Sequence, residues 1–108
     1  MRCVTNVKIR LSRDPEANGF GKGIVQLLEG VERLGSINKA TGEMGMAYSK
    51  AWRIIRQAED ELGVRLIDRD GAHGSTLTED GDKLLNAYLA IEKRLKKVAA
   101  DEFSKRFK

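Results

Sequence analysis

Residues 35–81 read GSINKATGEMGMAYSKAWRIIRQAEDELGVRLIDRDGAHGSTLTEDG, and the order of signals in this stretch decides the fold. Ser36 opens a short helix, because its hydroxyl can accept from the unpaired N–H groups of a first turn; that helix runs to about Met44. Gly45 breaks it, since a tight turn between helices needs a residue that tolerates positive φ. From about Ala47 to Leu62, Ala51, Ile55, Ala58 and Leu62 recur at spacings of four, three and four, which is one apolar helix face, and Gly63 ends it. Arg65–Arg69 and Ser75–Leu77 are short strand candidates, joined by Asp70-Gly71-Ala72-His73-Gly74. Thr78 then caps a further helix.

Helix, turn, helix, strand, loop, strand and helix is the order of parts in a winged helix-turn-helix. The expected boundaries are about 36–62 for the helix-turn-helix, 65–78 for the wing and 79–105 for the last helix. Upstream, Val7, Ile9 and Leu11 alternate with Lys8, Arg10 and Ser12, which predicts an N-terminal strand. Residues 14–19 read as a turn or loop. Ile24, Leu27, Leu28, Val31 and Leu34 then mark a first helix that ends at Gly35. The fold class is therefore α/β, mainly α, with an N-terminal strand, a two-stranded wing and a long C-terminal helix. At 108 residues it is expected to form one domain, 1–108.

The net charge of +4 is misleading as a guide to partners. Residues 92–108 carry seven Lys/Arg and three acids, so the remainder is balanced, with 13 of each sign. The local pattern is more informative, because attraction to phosphate is screened over about 10 Å. Between Met46 and Ala58 lie Lys50, Arg53 and Arg56 with no acid, and Glu59, Asp60, Glu61, Asp68 and Asp70 come only afterwards. A helix in a major groove needs long donors on one face near its N-terminus to reach base edges and phosphates. Tyr48, Ser49, Lys50 and Arg53 meet that need in the helix at 47–62, the expected recognition helix. Arg56 and Gln57 lie further along, towards the DNA backbone. Arg69 or His73 in the wing could meet a phosphate or a minor groove. Ser36 could donate to a phosphate, although capping already accounts for it. Trp52 follows Tyr48 by four residues, so the rings can touch; it reads as a core or shoulder residue.

Along the last helix, Leu84, Tyr88, Ile91, Leu95 and Val98 repeat every four and three residues, a coiled-coil-type seam. With Phe103 and Phe107 needing cover, it predicts a homodimer. Other classes are poorly supported. No apolar run reaches the roughly 18 residues of a membrane span, and the N-terminus lacks a signal-peptide core, so a cytoplasmic protein is expected. Cys3 has no partner cysteine, and with His73, the one histidine, it makes no metal site, so neither metal nor cofactor is expected. No catalytic set containing histidine can be assembled. GFGKG at 19–23 lacks the ending of a phosphate loop, and Glu59–Glu61 read as a solvated face. An enzyme is not expected.

AYSKAW at 47–52, preceded by GSI at 35–37 and followed by LTEDG at 77–81, resembles the DNA-binding domain of the molybdate-responsive ModE family. IRQAEDELGVRLIDR at 55–69 with LTEDGDKLL at 77–85 is also similar to the LysR-type regulators. The resemblance spans about residues 6–98. It implies a transcriptional regulator, a homodimer held by the first and last helices (thus adding Leu27 and Leu28 to the dimer contacts), and a palindromic operator in double-stranded DNA. Ala47, opening the recognition segment, joins the expected DNA-contacting set. Full-length relatives carry an effector domain. This chain, ending after its last helix, is expected to be a stand-alone module with no evident small-molecule effector, so the molybdate response is not carried over. Two departures stand out: the wing is short, and Thr41 sits where such motifs often have alanine. The alternative function is a winged-helix protein-interaction module without specific DNA binding; non-specific binding through the basic tail is a third.

Overall fold

The computed structural model describes residues 1–69 and 74–107. Four helices, α1 (Lys22–Leu34), α2 (Ile37–Met44), α3 (Tyr48–Leu62) and α4 (Glu79–Arg106), enclose a two-stranded antiparallel sheet of β1 (Ile67–Arg69) and β2 (Ser75–Leu77). In the sheet Ile67 faces Leu77 and Arg69 faces Ser75. The winged helix-turn-helix order is thus present, with β1 starting two residues later than the sequence suggested. Ala47 is the N-cap of α3.

The helix stripes read from spacing build the core. Ile24, Leu27, Leu28 and Val31 of α1 are buried against Ala51, Ile55 and Ala58 of α3. Ile37 and Ala40 of α2, Leu66, Ile67 of β1, and Leu85 and Tyr88 of α4 close the remaining sides. Phe20, fully buried, fills the space under Tyr88 edge-on, with ring centroids 6.2 Å apart. On the outside, Arg33 of α1 donates through both terminal nitrogens to Glu43 of α2, at 3.0 and 2.6 Å. That guanidinium holds the exposed Glu43 carboxyl below its ordinary range.

Two expectations need correction. Among the described residues the predicted N-terminal strand does not form; of Val7–Leu11 only Leu11 pairs there, with its N–H and carbonyl bonded to Phe20 at 2.9 and 2.8 Å. The alternation is real, since Ile9 and Leu11 are half-buried against the core. Residues 7–10, however, have no neighbouring strand among the described residues to receive their backbone groups, and Val7 is exposed. The acids 59–61 are not a uniformly solvated face. Glu59 accepts from the Leu66 N–H at 2.8 Å and Glu61 from the Gly19 N–H at 2.6 Å; both are half-buried, and only Asp60 is exposed. Each carboxylate satisfies a loop N–H that would otherwise be left without a partner.

The last helix enters the body through a close approach. Thr78 accepts from the Gly81 N–H at 2.9 Å, and Glu79, Asp80 and Asp82 place negative charge at the positive end of the helix dipole. Gly81 lies against the Leu66 carbonyl, where a Cβ would collide with backbone. Leu89 still packs on the core, and Glu92, Leu95 and Lys96 lie beside Thr5–Val7 and Ile9 of the N-terminal segment before the helix runs on past the body. At 28 residues it is about 42 Å long, and the radius of gyration is 16.1 Å against about 13 Å for a compact chain of this length. No helix among the described residues is long and apolar enough to cross a membrane.

Candidate nucleic-acid interface

The turn between α2 and α3 aims the third helix outward. Gly45 ends α2 with φ of 67°, and the Met46 N–H returns to the Thr41 carbonyl at 3.0 Å. Thr41 is buried, with its hydroxyl donating to the Asn38 carbonyl at 3.0 Å, so the position tolerates a polar residue. Ser36 caps α2 by accepting from the Lys39 N–H at 3.2 Å, and it is half-buried. Ala47 offers α3 no side-chain cap, so the first turn of α3 keeps N–H groups and partial positive charge at its surface.

With Ala51, Ile55 and Ala58 turned into the core, the opposite face of α3 must carry Ser49, Lys50, Arg53 and Arg56, and all four are exposed. Ser49 to Arg56 spans about 10 Å along the helix. Among the described residues, Lys50, Arg53 and Arg56 make no ion pair with a carboxylate. Gln57 is drawn away from this face, donating to Glu61 at 3.2 Å.

The wing joins the same surface. The Arg69 guanidinium donates to the Tyr48 hydroxyl at 3.2 Å, tying the end of β1 to the start of α3. Tyr48 and Trp52 touch edge-on, as their spacing suggested, with centroids 6.4 Å apart at 83°. Trp52 is half-buried and packs on the core, as a shoulder residue would. Arg56 and Arg69 each lie over its ring, a pairing with no sequence signal because 13 residues separate the two arginines. Ser36, Ala47, Tyr48, Ser49, Lys50, Arg53, Arg56 and Arg69 thus belong to one helix-turn-helix and wing. His73 lies outside the described residues.

The expected dimer contacts divide. Leu27, Leu28 and Tyr88 are buried in the chain's own core at 0%, 0% and 3% exposure, so they have no surface left for a partner; this corrects their assignment. Leu84 is half-buried against the core. Ile91, Leu95 and Val98 are exposed, at 39%, 37% and 50%. The cause is geometric: α4 packs through Gly81, Leu85, Tyr88 and Leu89, and further along only the N-terminal segment lies beside it among the described residues.

Comparison with known proteins agrees with this architecture. The chain is 35% identical over 72 residues to the molybdenum transport protein ModE of Azotobacter vinelandii, covering 63% of this chain and 27% of that protein. It is 35% identical over 92 residues to the HTH-type transcriptional regulator TrpI of Pseudomonas aeruginosa, covering 84% of this chain and 29% of that protein. Both resemblances drawn from the sequence are therefore met. The chain spans under a third of the length of the curated relatives it matches. In fold it is similar to the BenM DNA-binding domain crystallised with benA site 1 DNA, at a TM-score of 0.57 and 21% identity, covering 78% of this chain and 94% of that one. The model of the bacterial regulatory helix-turn-helix proteins of the lysR family matches residues 24–82, α1 to the start of α4. With more than half of its length in that match and the winged helix-turn-helix complete around it, this chain belongs to the lysR family of bacterial regulatory helix-turn-helix proteins.

Proposed function

We propose that residues 1–108 act as one DNA-binding unit of a transcriptional regulator, a homodimer that reads a palindromic operator with α3 in the major groove. One observation carries this reading: an exposed cationic face on α3, free of ion pairs among the described residues, directly follows the turn at Gly45 and lies beside the wing. Lys50 and Arg53, near the N-terminus of α3, would reach guanine edges or phosphates. Tyr48, Ser49 and Arg56 flank them, and the uncapped first turn at Ala47 favours an approaching phosphate. Ser36, opening α2, and Arg69 on the wing serve the flanking backbone.

Dimerisation would use what α4 leaves uncovered. Ile91, Leu95 and Val98 continue the four-three spacing along a helix that projects from the body, and a second copy of α4 buries such a seam by interdigitating like residues. Two linked readers gain affinity because the second contact becomes intramolecular. Leu95→Glu is expected to convert the dimer to a monomer in sedimentation and to weaken binding to an inverted-repeat duplex at least tenfold, with the helical spectrum retained. A wild-type chain that sediments as a monomer at 100 μM, or a variant that stays dimeric, would refute this seam.

A further inference from the structure

Trp52 occupies the junction between α3 and the wing, and both of its cationic neighbours are drawn from elements assigned to DNA above. The Arg56 guanidinium carbon lies 5.5 Å from the centre of the Trp52 ring and that of Arg69 lies 5.2 Å from it. Arg69 is the last residue of β1, and it also donates to Tyr48 on the preceding turn of α3. One indole therefore fixes one cation on each of two elements. Its own Nε1–H is buried without an acceptor. An unpaired buried donor is costly, so the ring is set by what its surfaces touch and not by a hydrogen bond.

The cluster is electrically incomplete. Among the described residues neither Arg56 nor Arg69 pairs with a carboxylate. The negative face of an indole attracts each guanidinium but does not cancel its positive charge. A stacked guanidinium keeps its N–H donors at its edge, in a fork that fits the oxygens of a phosphate. Beside the ring lies an open cleft of about 580 Å³ whose lining includes Arg56, Arg65 and Arg69 together with the carboxylates Glu59 and Asp60, neither of which pairs with an arginine among the described residues. Arg65 is partly occupied by Asp68 at 3.6 Å, whereas among the described residues Arg56 and Arg69 meet no carboxylate, and Arg69 spends one donor on Tyr48.

We propose that Trp52 is a positioning residue that gathers Arg56 and Arg69 into a single grip on one backbone phosphate of DNA, at the junction of recognition helix and wing. The proposal rests on the DNA-binding reading above. It has a consequence that a merely structural tryptophan would not produce: an uncharged side chain controls the salt dependence of binding. Each phosphate contact adds about 0.9 to the slope of log affinity against log salt. Losing this grip should therefore lower the slope by about 1 per protomer with every charge still present.

The test measures binding of the full chain to a selected duplex by fluorescence anisotropy over a series of KCl concentrations. Trp52→Leu is expected to lower the slope by about 1 per protomer and the affinity about tenfold. Trp52→Phe, which keeps an aromatic face, should retain the wild-type slope. On an Arg56→Ala/Arg69→Ala background Trp52→Leu should add less than twofold, since the grip is already gone. Should the leucine variant fail to fold, the arginine pair decides alone: the double alanine variant should lose little more than the worse single one. A folded leucine variant with the wild-type slope, or fully additive arginine losses, overturns the inference while leaving DNA binding intact. A wild-type chain that binds no duplex overturns both. Trp52 is the one tryptophan, so its emission reports the site directly, and duplex is expected to change it. If inorganic phosphate at millimolar concentration gives the whole change and duplex gives none, the site takes a free anion and the backbone grip is wrong.

Discussion

Replacing Lys50 and Arg53 together by glutamate is expected to weaken binding to a selected duplex about a thousandfold without unfolding the protein. Both side chains are exposed on the face of α3 opposite the buried stripe of Ala51, Ile55 and Ala58. A base or phosphate contact of this kind contributes about 1–3 kcal/mol, so losing two costs about 4 kcal/mol, close to a factor of a thousand. Reversed charge adds repulsion from the phosphates. The fold should hold, because substitutions on an exposed helix face usually stay within about 0.5 kcal/mol, and glutamate near a helix N-terminus is favoured by the dipole. Anisotropy gives the affinity and circular dichroism the fold. If the double variant bound as tightly as wild type while removal of residues 99–108 abolished binding, the basic tail would be the binding element and α3 would not.

The second large effect is on stability. Phe20→Ala is expected to cost about 3–5 kcal/mol, the range for removing a buried aromatic side chain. Phe20 is fully buried, stacks edge-on with Tyr88, and anchors the N-terminal segment through its paired bonds to Leu11. Small domains have about 5–15 kcal/mol in total, so the variant should unfold at markedly lower urea. A loss below about 1 kcal/mol would show that the site collapses around the missing ring, and that Phe20 does not anchor the N-terminal segment.

Phe20 also marks the boundary of what the sequence made legible. Elements that rest on local spacing were readable: the stripes of α1 and α3, the caps at Ser36 and Thr78, and the positive φ at Gly45. Contacts between distant residues were not. GFGKG could be excluded as a phosphate loop, but nothing local says that its phenylalanine reaches Tyr88, 68 positions later in the chain. Glu61 looks like a surface acid until Gly19, 42 residues away, presents its N–H. The alternation at Val7–Leu11 has the period of a strand, yet a strand also requires a neighbour, and among the described residues only Leu11 has one. The heptad seam on α4 was legible as a repeat. Its division between core and exposed face depends on where the helix leaves the body, which spacing does not encode. In the candidate interface the basic face of α3 was readable, whereas the joint hold of Trp52 on Arg56 and Arg69 was not, because it joins a helix to a strand.

The most direct test of α3 as a reader of DNA is selection of bound duplexes from a random pool by the wild-type chain at about 150 mM salt. An inverted repeat should be enriched, with half-site centres about 10 base pairs, or a small multiple of that, apart, and the enrichment should vanish with Lys50→Glu/Arg53→Glu. A pool that stays random through repeated rounds, or the same repeat enriched by the double variant, would contradict it.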